Sequence, residues 1–550
     1  MKRILGISLV LVLFLSLLVG CQPAGGDSSS KAQENSAPYT ESEGPNGELS
    51  TPGGEDSSGT ESGTGSDESG ANPSTTTSRR PGSKTITIEG VNLSGRVSDL
   101  KGRKIIHNIP EHTDESSESY KIMRANHDAI EKKYNCKIEY LKMGSEDAGK
   151  TQFLNSVLAG KPLADTWMQG HSTFLPRYKA GLLQNLSKMN VFDFESDQSP
   201  WPAYMEAAKL DGAYYGVMGT DTAGMCWNSP VLLYNKKLLQ DYVPQYANSL
   251  YSLQQSGDWT WDKFAEVCEA FNKAASSEPS LTACFDASGL TYQLLLATSG
   301  TDWLKYDSKG NVVFNGNDSK AQAALNQFKS YVEKGIVRLD RPLAGIGAQW
   351  VGNMVGWEDK YQFLSGQALF GFNDIGGYYW NVFQHSGTLQ TVKDNVGVLL
   401  VPKMKKSDNY TYSLPLTMTG YSIPYGVKKP NEVATILNAM YTEKHVSISK
   451  EEARNNWFTE SIEPTLNSKT GEQTKNTILK VYDEFGKNNI TVFISPYATQ
   501  TTPDIWSNGD SGWIAKYVFD IAHGNMAQSA ALSAVTSKYN KILATLTEKR

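Results

Sequence analysis

From Lys104 to Met168 the chain switches repeatedly between two periodicities. Lys104-Ile105-Ile106-His107-Asn108-Ile109 reads as a strand, and Ile122, Ala125, Ala129, Ile130 and Tyr134 fall at helical spacing. That spacing predicts a helix over about 118–134. A second strand follows at Lys137-Ile138-Glu139-Tyr140-Leu141, then a helix over about 151–159, then Leu163-Ala164-Asp165-Thr166-Trp167-Met168. Strand, helix, strand, helix, strand is the order of a parallel α/β sheet. Ligands of such sheets bind beyond the carboxyl ends of the strands, which places residues 167–173 at a mouth. Neither common glycine-rich phosphate loop occurs there, which argues against a nucleotide site.

The segment before this region has a different character. Lys2 and Arg3 precede an apolar run, Ile4 to Val19, that ends at Leu18-Val19-Gly20-Cys21. A basic start, a short apolar stretch and small residues at the cut make a secretory signal over 1–20. The run is short for a bilayer span. Leu-Val-Gly-Cys resembles the lipobox of bacterial lipoproteins, which implies diacylation of Cys21 and anchoring to the cell membrane from outside. Residues 22–80 are mostly Ser, Gly, Glu, Thr and Pro, too poor in large apolar side chains to offset chain entropy, so 21–98 is expected to be a disordered linker. As a flexible coil it would reach about 40–50 Å. Residues 22–80 carry 10 acidic and 3 basic residues, net −7. Against a whole-chain net of −6 and +2 in the signal, residues 81–550 are left at −1. A nearly neutral body argues against nucleic acid as a partner.

Downstream, Asp307-Ser308-Lys309-Gly310-Asn311 reads as a tight turn before Val312-Val313-Phe314. A calcium loop would need a longer ligand pattern and a closing Glu. Asn317 or Asp318 caps a helix to Lys334, with Ala321, Leu325, Phe328 and Val332 on its buried face and Gly335 as its stop. A last helix covers about 527–546. Cys136, Cys226, Cys268 and Cys284 form no CxxC pair, no Cys/His cluster has zinc spacing, and neither a metal nor another cofactor is expected. The spacing leaves disulfides and buried free thiols both open.

Six local patterns, in order, resemble the extracellular solute-binding proteins of carbohydrate ABC transporters, the maltose-binding-protein-like family. They are Ala164-Asp165-Thr166-Trp167 with Tyr178-Lys179-Ala180-Gly181-Leu182-Leu183; Gly212-Ala213-Tyr214-Tyr215-Gly216-Val217 with Leu233-Tyr234-Asn235-Lys236-Lys237-Leu238; Trp261-Asp262-Lys263-Phe264; Phe363 to Phe370; Asn395-Val396-Gly397-Val398 with Val401-Pro402-Lys403; and Gly420-Tyr421-Ser422-Ile423-Pro424 before Lys428-Lys429-Pro430-Asn431-Glu432. The resemblance implies an α/β, two-lobed periplasmic-binding-protein-like fold with a ligand cleft between the lobes. It places lobe one at about 100–222 and 395–460, and lobe two at about 228–390 and 461–550. Residues 341–361, with Trp350 and Trp357, are a candidate insertion. It also implies a monomer that captures a sugar or oligosaccharide and hands it to permease subunits.

A sugar site needs aromatic platforms and hydrogen-bonding side chains. Trp167, with Gln169 and His171 beside it, ends the third strand. Asp221 and Trp227 lie where the chain crosses between lobes. Asp374, Tyr378, Tyr379 and Trp380 follow an apolar strand, and Tyr292 and Trp513 match family aromatic positions loosely. Asp165 reads as a backbone anchor, and Trp259 and Trp261 as packing at a helix start. The candidate loops hold no cluster of Arg and Lys, which favours a neutral or weakly polar ligand over a strongly anionic one. A glycosidase would need two carboxylates about 5–10 Å apart; Asp221, Glu358 and Asp374 could be imagined so, and sequence does not show proximity. No serine elbow, Cys/His nucleophile or zinc-binding helix is visible. A sensor or adhesion protein on the same fold would present a similar site.

Overall fold

The computed structural model describes residues 92–545 outside 112, 144–146, 195–204, 206–207, 219–225, 228, 287–288, 310, 340–362, 364–365, 379–395, 416–419, 444–449, 464–470, 487–490 and 494–511. The proposed signal, lipid site and insertion, and the linker up to residue 91, therefore lie outside the described residues. The last stretch of the expected linker, 92–98, is instead fastened to the body: the Gly95 amide donates to the Asn190 carbonyl at 2.9 Å, Arg96 Nε to the Val191 carbonyl at 2.8 Å and the Val97 amide to Thr435 Oγ1 at 3.1 Å.

The alternating pattern forms as expected. Strand β1 (Arg103–Ile109) pairs in parallel with β2 (Cys136–Lys142) across helix α1 (Glu118–Tyr134). α1 starts where the Ser117 side chain accepts from the Tyr120 amide and stops at Asn135, whose φ of 49° is left-handed. Helix α2 (Asp147–Leu158) leads to β3 (Trp167–Gln169) and α3 (His171–Lys179). β3 is shorter than its apolar run. The Asp165 carboxylate accepts the Ile106 amide at 2.9 Å and the Asp165 and Thr166 amides both bond to the Ile106 carbonyl, so the chain bends in before it pairs. β4 (Val217–Met218) completes this part of the sheet from a distance in sequence.

The second sheet uses β5 (Pro230–Asn235), followed by α4 (Lys236–Tyr242), α5 (Trp261–Ala274), β6 (Thr282–Phe285), α6 (Leu290–Thr298), the hairpin β7 (Leu304–Tyr306) and β8 (Val312–Phe314), α7 (Ser319–Glu333), β9 (Ala368–Asp374), the single turn α8 (Ile375–Tyr378) and β10 (Val396–Leu400). Its order is β10-β5-β9-β6. β5 runs antiparallel to both neighbours, and β6 runs parallel to β9. The hairpin turn is held by Asp307, whose carboxylate accepts from the Lys309 and Asn311 amides and from Asn311 Nδ2. α7 is capped by Asp318, which accepts from the Lys320 and Ala321 amides. The chain then returns to the first sheet. β11 (Ser413–Pro415) precedes β12 (Gly420–Ser422), which inserts antiparallel between β3 and β4. Helices α9 (Pro430–Thr442), α10 (Lys450–Trp457), α11 (Gly471–Gly486) and, after β13 (Thr491–Phe493), α12 (Gln528–Ala544) follow.

Two hydrophobic cores result, and β5 and β10 serve both. Val231 and Leu233 belong to one core, Leu232 to the other; Val398 and Leu400 face the first, Leu399 the second. Alternate side chains of a strand point to opposite faces, so a sheet covered on both sides needs this unbroken apolar run. Trp457 of α10 and Ile478 and Val481 of α11 cover one face. Trp261, Phe264, Val267, Cys268 and Phe271 of α5 cover the other. Cys136, Cys226, Cys268 and Cys284 are all buried free thiols. Among the described residues no helix is long and apolar enough to cross a membrane.

Candidate functional site

The register of β5 and β9 brings two predicted segments together. Pro230 faces Asp374 and Val231 faces Asn373. Beyond the paired residues, the Ile375 amide donates to the Ser229 carbonyl at 3.1 Å and the Gly376 amide to the Trp227 carbonyl at 2.8 Å. A Cβ on Gly376 would stand 3.2 Å from that carbonyl oxygen and 3.4 Å from Asp374 Oδ1. Glycine therefore permits the close approach of the two segments. Trp227 is half-buried and Asp374 buried. The loop that starts at α8 is thus fastened to the segment that precedes β5.

Three further residues complete this corner, and sequence reasoning did not single them out. The Trp227 ring meets Trp457 edge-on at 5.9 Å, and Trp457 stacks on Tyr482 at 4.9 Å. Trp457 Nε1, Ser229 Oγ and Asn373 Nδ2 are buried without a hydrogen-bond partner. Asn373 Oδ1 accepts the Asp374 amide at 2.9 Å, which leaves its Nδ2 pair as free donors. Buried polar groups are nearly always paired, so these three unpaired ones call for an explanation. Two nitrogen donors and a hydroxyl beside a part-exposed indole suit a ligand rich in hydroxyls. Asn373 lay inside a segment already marked by its glycines and aromatics. Ser229 and Trp457 had no motif around them.

The other predicted site residues are placed as follows. Trp167 opens β3 fully buried, its ring edge-on to Phe153 at 5.2 Å. Gln169 Oε1 accepts from Arg177 Nη1 at 2.8 Å. His171 begins α3 and Tyr378 ends α8; their side chains lie outside the described residues, as do Asp221, Tyr379 and Trp380 entirely. Tyr292 and Trp513 are enclosed in the second core, against Phe328 at 6.0 Å and Phe314 at 4.8 Å. Burial holds the Tyr292 phenol well above its ordinary value. Asp165 bonds Arg103 at 3.2 Å as well as the Ile106 amide, the anchoring role its position suggested. Trp259 and Trp261 are core residues, with indole N–H groups bonded to the Leu400 carbonyl and the Thr298 hydroxyl. Of the carboxylates that a glycosidase pair would draw on, Asp221 and Glu358 lie outside the described residues. Among the described residues no group of three or more His, Cys, Asp and Glu could hold a metal ion.

The sequence profile of the bacterial extracellular solute-binding proteins matches residues 125–446, more than half of the chain. The chain belongs to this family. As an extracellular solute-binding protein it works outside the cytoplasm. Its fold is the α/β, two-lobed one of that class. The sugar-binding protein MalE from Xanthomonas citri superposes with a TM-score of 0.51 at 13% identity, over 81% of this chain and 98% of that one. A cyclo/maltodextrin-binding protein complexed with maltotetraose gives 0.51 at 18%, over 82% and 98%. The cyclic α-maltosyl-1,6-maltose binding protein from Arthrobacter globiformis gives 0.50 at 14%, over 81% and 100%. No curated protein matches the sequence. At these identities the solved structures speak for the fold of the solute-binding protein.

Proposed function

We propose that this solute-binding protein captures an extracellular sugar or oligosaccharide and delivers it to the permease subunits of an ABC importer. The observation that carries the reading is the corner at the end of β5 and β9. There a half-buried Trp227 packs on Trp457, its segment is fastened to the one that follows Asn373, and Ser229 Oγ, Asn373 Nδ2 and Trp457 Nε1 are unpaired. An indole face packs on the C–H face of a sugar ring, and the unpaired groups exchange hydrogen bonds with its hydroxyls. Asp374, at the head of the same loop, adds acceptors; Asp221, Tyr378, Tyr379 and Trp380 belong to the flanking segments, and Trp167 and His171 to the end of the other sheet. Of three proteins of the same fold, one is named as a sugar-binding protein, one as complexed with maltotetraose and one as binding cyclic α-maltosyl-1,6-maltose, which supports the ligand class. The reading is one of binding without catalysis. It includes a monomer held to the membrane through a lipid on Cys21 and lifted from it by residues 22–91.

Thermal-shift titration of the full chain against a saccharide panel tests it. A ligand that binds only the folded state stabilises it by RT ln(1 + [L]/Kd), about 2.7 kcal/mol at 100 Kd. At least one saccharide is expected to raise Tm, and nucleotides are not. Absence of any saccharide shift, or hydrolysis of the bound sugar, refutes the reading.

A further inference from the structure

One face of the first sheet carries four buried polar groups with nothing to bond to. Trp167 and Gln169 are two apart on β3 and so share a face. Ser422 stands directly opposite Trp167 in the β12–β3 register, close enough for their side chains to be neighbours. The Arg177 guanidinium reaches the same place from α3. Its Nη1 donates to Gln169 Oε1 at 2.8 Å, and it lies 3.9 Å over the Phe153 ring that also packs on Trp167. Trp167 Nε1, Gln169 Nε2, Arg177 Nη2 and Ser422 Oγ are all unpaired. Gln169 and Ser422 are wholly buried, and Trp167 and Arg177 are only 1% and 6% exposed.

The chemistry of the group is one-sided. Arginine and indole nitrogens only donate. Because Arg177 can only donate, the Gln169 atom facing it is the oxygen, and its Nε2 is left as a further donor. Ser422 adds a hydroxyl that can donate. Three nitrogen donors and a hydroxyl thus stand together with no acceptor left for them. No carboxylate among the described residues pairs with Arg177, and burial alone pulls its guanidinium down to about 9. A buried, uncompensated cation ringed by donors calls for an anion. A carboxylate has about four lone-pair sites in a plane and fits a guanidinium fork.

We propose that this cluster, at the carboxyl end of β3, binds a carboxylate of the transported solute, so that the ligand is an acidic saccharide of the uronic-acid type. The inference rests on the sugar-capture reading and names the class of sugar. The loops gave no hint of it because the charge comes from the last turn of a helix, α3.

The test is calorimetric titration of the full chain with uronic-acid oligosaccharides, each against its own methyl ester, and with phosphorylated saccharides. A charge-assisted hydrogen bond adds roughly ten- to a hundredfold in affinity. At least one acid is therefore expected to bind tenfold or more tighter than its ester. Arg177→Met is expected to erase that preference without lowering Tm, since it removes an unpaired buried charge. Arg177→Lys keeps the charge but loses the fork, and is expected to retain part of the preference; it serves in place of Arg177→Met if that variant does not fold. Equal binding of acid and ester, an unchanged preference in Arg177→Met, or tighter binding of the phosphorylated sugars overturns the inference. Tight binding of neutral saccharides alone would overturn it while leaving sugar capture standing. Failure of every saccharide would overturn both.

Discussion

Trp227→Ala and Trp167→Ala are expected to fail in different ways, and the difference follows from where each ring sits. Trp167 is 1% exposed and packed edge-on against Phe153 at 5.2 Å. Truncating so enclosed an aromatic costs about 3–5 kcal/mol of fold stability. Trp227 is half-buried, and the ring contact it loses is the edge-on pair with Trp457 at 5.9 Å. Such a pair is worth about 0.5–1.5 kcal/mol beyond burial, so the fold should lose about 1–2 kcal/mol. If Trp227 is the platform for a sugar ring, its removal costs about 2 kcal/mol or more of binding, roughly thirtyfold in Kd. Differential scanning calorimetry reads the first quantity, and titration with the best saccharide of the panel reads the second. Trp227→Ala should melt close to the parent and bind poorly. Trp167→Ala should melt much lower. A Trp227→Ala protein that unfolds easily yet binds normally in its folded fraction would show that Trp227 is packing, and would remove the main support for the site.

Asn373→Leu fills the same volume without the unpaired Nδ2, so the melting temperature should change little while saccharide affinity falls about tenfold; a large stability loss with normal affinity would refute the role. His107 is held down to about 3 by burial and by the nearby charges of His127 and Arg124, so the unfolded chain takes up its proton first as pH falls below about 6.5. Stability of the parent should be complete above that pH and fall by up to about 1.4 kcal/mol per unit on the way to pH 3, and His107→Gln should flatten that slope in urea titrations. Cys21→Ser should shift the protein from the membrane fraction to the soluble one with the domain still folded; unchanged partitioning contradicts lipid anchoring. Deletion of residues 25–80 should leave melting temperature and affinity unaltered, and a lowered melting temperature would give that segment a structural part.

Local features were legible in the chain where a single residue decides them. The apolar spacing gave the span of α1, which Ser117 and Asn135 close at its two ends, and Asp318, one of two cap candidates, sets the start of α7. β3 was misjudged in length because its end depends on a carboxylate, Asp165, that reaches a neighbouring strand. The candidate ligand segments were visible as aromatic and glycine clusters. Their meeting was not, because it depends on the β5–β9 register and on the room that Gly376 leaves beside the Trp227 carbonyl. Ser229 and Asn373 sit at the ends of buried strands, where a polar residue ordinarily signals a satisfied hydrogen bond. What sets them apart is the bond they lack, and no sequence pattern records a missing partner.

The same reasoning explains why the acidic solute we propose departs from the neutral one that the loops favoured. A search for anion binding looks for several Arg and Lys in exposed loops, because in water each such charge is weakened by a high dielectric and by salt. Arg177 reads as one more basic residue in the last turn of a short helix. Folding places it over Phe153 and beside Gln169, where water is excluded and no acid among the described residues answers it. In that setting one guanidinium with three neighbouring donors selects for an anion more strongly than a surface patch of several lysines. The cost of leaving it unpaired in the free protein is returned when the ligand's carboxylate enters. A single buried arginine can therefore set both the affinity of the site and the class of sugar it accepts.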